Sequence, residues 1–145
     1  MSFISHSSTQ PESQTDVRTS EYINLQKQRT GLQRLWHAGL YSVQGLHAGW
    51  HEKAFRLEVC LALVLLPAAL WVGQSWLEIV ALIACVLLVL VAELLNSAIE
   101  ATVDRIGLEW HPLAKKAKDL GSAAVLLTLM LCAGTWIAAV VMHWR

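Results

Sequence analysis

Three long runs of hydrophobic residues occupy most of the chain after residue 55, and they predict three membrane-spanning helices. Residues 59–77 carry no charged side chain, and nineteen residues at helical rise cover about 28 Å, roughly one hydrocarbon core. With their flanks, the spans are expected at about 55–73, 76–103 and 118–143. A single run of this kind is also compatible with a buried helix of a soluble protein. Three such runs within about 90 residues favour the membrane.

A different pattern precedes the first span, at residues 31–53. Apolar side chains recur there at spacings of three and four, at Leu32, Leu35, Trp36, Leu40, Val43, Leu46 and Trp50. The segment is too polar to span and is predicted as an amphipathic helix on the inner membrane surface, although an ordinary interfacial anchor has the same pattern. Residues 1–30 are polar and lack the apolar core of a signal peptide, which predicts a disordered extension.

The predicted fold class is therefore an all-α membrane protein, with three transmembrane helices and an N-terminal surface helix in one domain, residues 31–145. The basic residues near the spans predict its orientation. They precede the first span or separate the second from the third, at Lys27, Arg29, Arg34, Lys53, Arg56, Arg105, Lys115, Lys116 and Lys118. Because the turn between the first two spans has none, the positive-inside rule places the N-terminus and the second loop in the cytoplasm and the C-terminus outside.

Composition excludes several classes of function. The chain has 145 residues, 55% of them hydrophobic, and a formal net charge of zero, so nothing indicates nucleic-acid binding. Its three cysteines, Cys60, Cys85 and Cys132, all lie inside apolar runs and form no CxxC pair. A disulfide framework or a zinc site is therefore not expected, and the thiols are predicted to pack as small apolar groups.

A polar stripe interrupts the second span. Glu93, Asn96, Glu100 and Asp104, with Ser97 beside them, recur at helical spacing and lie on one face over about 16 Å. A charged side chain inside a membrane costs roughly 2.5–3.5 kcal/mol on insertion scales, so the stripe requires a reason.

The hairpin topology brings further acidic side chains to the same membrane level, namely Glu52, Glu58, Glu109 and Asp119. Crowded carboxylates share protons or bind a cation, and oxygen ligands of this kind suit Mg²⁺ together with phosphate oxygens. Lys118 and Arg105 are nearby phosphate partners. This combination of carboxylates and basic side chains at the membrane surface fits phosphoryl transfer from a nucleotide to a lipid hydroxyl. Ion pairs that only hold the helices together, or a proton or ion pathway, remain open from the residues alone.

Three segments resemble the prokaryotic diacylglycerol kinase family. They are residues 93–105, ELLNSAIEATVDR; residues 117–123, AKDLGSA; and residues 54–58, AFRLE. The resemblance covers residues 31–145. It implies a homotrimer of three-span subunits in the bacterial inner membrane, with active sites shared between subunits on the cytoplasmic side. No phosphate-binding P-loop or protein-kinase motif is present, so this scaffold would be a different one.

The resemblance also implies roles for individual residues. Glu93 is similar to the general base that accepts the proton of the lipid hydroxyl, and Glu52 and Glu100 are similar to the Mg²⁺ ligands. The implied nucleotide contacts are Arg34, Tyr41, Glu109, His111, Lys118 and Asp119. The implied lipid-substrate and supporting residues are Arg34, Ser42, Trp50, Phe55, Arg56, Glu58, Glu93, Asn96 and Ser122.

The implied reaction moves the γ-phosphate of MgATP to the primary hydroxyl of 1,2-diacylglycerol, giving phosphatidic acid and serving lipid recycling. An undecaprenol kinase of the same family is the first alternative, because it shares the fold and the motif. A non-enzymatic ion or proton pathway is the second. The acidic residues cluster at one membrane face and the third span is unbroken by charge, which disfavours a pathway across the membrane.

Overall fold

The computed structural model describes residues 31–145, without the side chains of residues 32–35, and this part of the chain is helical with no strand. The predicted extension 1–30 lies outside the described residues. Four helices follow one another: α1 (Leu32–Gly49), α2 (Lys53–Val72), α3 (Trp76–Ile106) and α4 (Pro112–His143).

Helix α1 occupies most of the predicted surface segment and ends at Gly49. The apolar side chains of α1 that the structure describes are exposed, with Trp36 at 72% and Val43 at 65%, as an amphipathic helix at a membrane surface requires. That location stays a prediction. The chain divides between Ser42 and Val43 into two units, and the second unit contains the end of α1 and all of α2–α4.

Helices α2, α3 and α4 are each long and apolar enough to cross a membrane. Only 22%, 33% and 17% of the residues in their most apolar segments are buried, so most of the apolar surface of the three helices faces outward. At about 1.5 Å per residue, the 31 and 32 residues of α3 and α4 extend about 46–48 Å. A hydrocarbon core is about 30 Å thick, so both helices continue well beyond it.

Helix α3 is the middle of the three and packs against both neighbours, most extensively against α4. Two small apolar clusters hold the helices together. One contains Ala62, Cys85, Val86, Val89 and Cys132, and the other contains Ala69, Val72, Leu82 and Ala139. The Trp136 ring packs against both clusters. Small residues at these contacts allow close approach of the helices, which is the usual way for membrane helices to associate.

Local signals set the helix ends. Ser75 caps α3, because its Oγ accepts a hydrogen bond from the Glu78 backbone N–H at 3.2 Å, and Glu78 Oε2 accepts one from the Gln74 N–H at 2.9 Å. His111 Nδ1 accepts from the Leu113 N–H at 3.2 Å and caps α4, with Pro112 at the first helical position. Helix α4 therefore begins six residues before the predicted span.

The two ends of the helical group differ. At one end, Gln74 Nε2 donates to the Met142 carbonyl at 3.3 Å, and His143 Nδ1 lies 3.1 Å from the Val72 carbonyl. The turn between α2 and α3 therefore meets the C-terminus of α4. The start of α2, the last turns of α3 and the start of α4 lie together at the other end, called here the polar end.

Candidate active site at the polar end of the helices

The predicted stripe on α3 begins inside the protein and becomes accessible toward the C-terminus of the helix. Glu93 is 6% exposed and Asn96 is 8% exposed, whereas Glu100 is half-buried and Asp104 is exposed. Asn96 Nδ2 donates a hydrogen bond to Glu100 Oε1 at 3.1 Å. The amide thus holds one carboxylate of the stripe in a defined orientation.

Carboxylates from separate elements meet around Glu93. The charges of Glu100 and Glu52 act on the Glu93 carboxyl, and Glu93 acts in turn on Glu58 of α2. Glu52 occupies the N-cap position of α2 without a capping side-chain hydrogen bond. The structure therefore brings the predicted base, both predicted metal ligands and the predicted Glu58 into one electrostatic cluster.

Two buried polar atoms in this cluster, Glu58 Oε2 and Asn96 Oδ1, have no hydrogen-bond partner within the described part of the chain. Glu58 also borders a narrow crevice between the helices, lined otherwise by apolar residues that include Leu61, Leu65 and Leu129. A buried polar atom without a partner is costly, so these two atoms mark the cluster as a candidate site for a ligand group.

An open cleft of about 530 Å³ lies beyond the stripe, between the end of α3 and the start of α4. It is lined by four residues predicted as nucleotide contacts, Glu109, His111, Lys118 and Asp119. Lys118 Nζ lies 2.7 Å from Asp104 Oδ1, and the charge of Glu100 also acts on this ammonium. The half-buried Lys118 thus connects the acidic stripe with the cleft.

The remaining predicted site residues differ in placement. Phe55 is 3% exposed and packs beside Gly49, whereas Trp50, Arg56 and Ser122 are exposed. Tyr41 and Ser42 are exposed and belong to the other compact unit, where the Ser42 hydroxyl donates to the Ala38 carbonyl. The side chain of Arg34 lies outside the described residues.

The structure adds Lys115 and Gly121 to the predicted residues and gives Asp104, a member of the predicted stripe, an ion-pair partner. Asp104 forms an ion pair with the predicted Lys118, and Lys115 forms one with the predicted Asp119. Gly121 faces Asn96 across the α3–α4 contact. The i, i+4 spacing of Lys115 and Asp119 is a sequence signal for their ion pair. The register between the two helices, on which the other two contacts depend, has no such signal.

Within the described part of the chain, no group of three or more histidine, cysteine, aspartate or glutamate side chains is arranged to hold a metal ion by itself. The polar end offers the carboxylates around Glu93, a lysine and an open cleft, next to an apolar crevice. This arrangement is suited to a metal ion that brings its own phosphate ligands, and to a reaction at the boundary between water and lipid.

Comparisons with known proteins agree on one family. Residues 40–140 match the family described as prokaryotic diacylglycerol kinase. A diacylglycerol kinase of Escherichia coli (strain K12) is 47% identical over 108 residues, which cover 74% of this chain and 88% of the relative. A diacylglycerol kinase of Pseudomonas aeruginosa is 50% identical over 111 residues, covering 76% and 90%, and one of Helicobacter pylori (strain ATCC 700392 / 26695) is 46% identical over 107 residues, covering 73% and 84%.

Proposed function

This chain belongs to the prokaryotic diacylglycerol kinase family and is an enzyme of that kinase family, and from this premise we propose that it transfers the γ-phosphate of ATP to the primary hydroxyl of 1,2-diacylglycerol. The product is phosphatidic acid, and the role is lipid recycling in a bacterial inner membrane. The relatives' names support the lipid alcohol as substrate, and three helices able to span a bilayer support the membrane location.

One juxtaposition carries the proposal. The stripe of carboxylates on α3 begins at the buried Glu93 and ends at Lys118 and at a cleft of about 530 Å³, while Glu58, whose carboxyl interacts with that of Glu93, borders an apolar crevice. A nucleotide is dissolved in water, whereas a diacylglycerol stays in the bilayer. Their reaction therefore requires a site that is open to water on one side and to lipid on the other. The polar end of the helices provides both within a few turns of α3.

The donor set fits Mg²⁺. This ion is usually bound through one or two carboxylates, with phosphate oxygens and water completing the octahedron. Glu52 and Glu100 would hold it, since both act electrostatically on Glu93 and Glu100 is oriented by Asn96. When bound, the ion neutralises developing charge on the phosphate oxygens.

The side chains around it have separate tasks. Glu93, buried beside Glu58, is placed to accept the proton of the lipid hydroxyl as that oxygen attacks phosphorus. Lys118 donates hydrogen bonds to phosphate oxygens after it leaves Asp104. Glu109, His111 and Asp119 line the cleft and orient the nucleotide. Helices α2–α4 exclude water from the lipid side, so that transfer to the alcohol outcompetes hydrolysis.

An assay of initial rates with purified protein tests the proposal. We expect radiolabel from [γ-³²P]ATP to appear in phosphatidic acid when 1,2-diacylglycerol is present in mixed micelles. No labelled phosphatidic acid should form when Mg²⁺ is chelated. A higher rate with undecaprenol would reassign the lipid substrate within the same family. Transfer to neither alcohol, combined with voltage-driven ion flux in liposomes without ATP, would contradict the proposal and favour an ion pathway.

A further inference from the structure

Helices α3 and α4 are in close contact at the polar end where Gly121 faces Asn96. Gly121 is buried, and a Cβ built on it would overlap Asn96 Oδ1. The next nearest atoms are Asn96 Cγ at 3.4 Å and Ile99 Cδ1 at 3.6 Å, both ordinary contacts. A methyl group at this position would therefore displace the amide of Asn96 and little else.

That amide has two ends with different surroundings. Nδ2 donates to Glu100 Oε1 at 3.1 Å, while Oδ1 is buried against Gly121 and has no hydrogen-bond partner among the residues that the structure describes. The hydrogen bond to Glu100 fixes one end of the amide, and the placement of its oxygen depends on the shape of the space beside Gly121. A side chain there would rotate or push the amide and release the Glu100 carboxylate.

We infer that Gly121 is a positioning residue: its lack of a side chain seats the Asn96 amide, which in turn orients the Glu100 carboxylate. The inference rests on the proposed function, in which Glu100 holds Mg²⁺. It extends that function by naming a residue of α4 that acts on the metal side of the site without touching nucleotide or lipid. Lys118, one turn earlier on the same helix, contacts the stripe directly and has a different role.

Gly134 provides a matched control. It lies on the same helix and is exposed, and a Cβ added to it would meet nothing within 4 Å. Replacement of either glycine by alanine favours the helical state to the same degree, because both remove the same backbone freedom. A difference between Gly121→Ala and Gly134→Ala therefore reports the contact with Asn96.

The test combines kinetics with a direct probe of the amide. The chain has two asparagines, Asn24 and Asn96, so asparagine labelled with ¹⁵N in the side chain gives two NH₂ signals, and Asn96→Ser identifies one of them. We expect Gly121→Ala to shift the Asn96 signal and lower kcat at least about tenfold, since misplacement of about 1 Å is enough for such losses. It should also raise the Mn²⁺ concentration that broadens the signal. Gly134→Ala should change none of these.

Three outcomes overturn the inference: an unchanged Asn96 signal in Gly121→Ala, a shifted signal with kcat and Mn²⁺ dependence as in the unsubstituted protein, or equal losses in Gly134→Ala. If Gly121→Ala fails to fold, Asn96→Ser combined with Gly121→Ala decides. A folded double variant supports the collision with the amide, and an unfolded one contradicts it. An unsubstituted protein without kinase activity would refute the proposed function, whereas the NMR signal and its Mn²⁺ response would still decide the role of Gly121.

Discussion

Glu100 is held by a side chain of its own helix, whereas Asp104 of the same stripe is paired with Lys118 of α4. Asn96 donates to its Oε1, and the charge of Glu100 reaches both Glu93 and Lys118. Its charge thus acts on both the predicted base and the lysine predicted to contact phosphate. If Glu100 holds Mg²⁺ as proposed, an uncharged amide of the same shape should not replace it.

Glu100→Gln should raise the Mg²⁺ concentration needed for half-maximal activity. Loss of groups that only support metal ligands costs about 10–100-fold in affinity, so loss of a ligand should cost at least about tenfold. A Mg²⁺ titration at saturating ATP measures the change. An unchanged titration curve would remove Glu100 from the metal site and leave Glu52 without its proposed partner.

At the residue scale, the stripe on α3 was predictable because its members share one helix and obey its period. Contacts between residues of different helices could not be predicted in this way. The pairing of Lys118 with Asp104 and the closeness of Gly121 to Asn96 depend on how far α4 is shifted along α3, and that register is set by packing of Cys85, Val86, Val89 and their neighbours. Alternation of apolar and polar residues does not contain this information.

At the element scale, helix ends show which local signals are readable in advance. Gly73-Gln74-Ser75 predicts the turn before α3, and Ser75 with Glu78 forms the cap found there. The start of α4 was less evident because residues 112–119 include four charged side chains, whereas the span that follows them is apolar. Helix geometry continues past the membrane boundary, since His111 and Pro112 provide a start six residues earlier.

Ser75→Ala should destabilise the protein by about 1 kcal/mol, the usual cost of losing an N-cap hydroxyl. The Glu78 N–H would lose its acceptor at the start of α3, far from the polar end. Unfolding by a denaturing detergent in mixed micelles measures the change in stability. The control variant Ser75→Thr keeps the hydroxyl and should retain most of the stability of the unsubstituted protein. Equal loss in both variants would show that the hydroxyl does not stabilise the helix.

At the scale of the whole molecule, the two ends of the helices have different chemistry. The polar end gathers carboxylates, Lys118 and the cleft, while the opposite end is closed by Gln74, His143 and Trp71 against backbone carbonyls and rings. The composition of the spans predicts this asymmetry and the all-helical fold. Assembly into a homotrimer stays a prediction, and the outward-facing apolar surface of α2–α4 supports it as well as it supports contact with lipid.

The measurement that tests the account most directly compares Glu78 in the first turn of α3 with Glu93 at the buried part of the stripe. Glu93→Gln and Glu78→Gln make the same chemical change about 22 Å apart on the same helix. Both purified variants are assayed for phosphatidic acid formation, and far-UV circular dichroism verifies their folding. We expect Glu93→Gln to lose at least about 100-fold in kcat, as loss of a general base does, and Glu78→Gln to stay within about twofold of the unsubstituted protein. Full activity of folded Glu93→Gln would contradict the account.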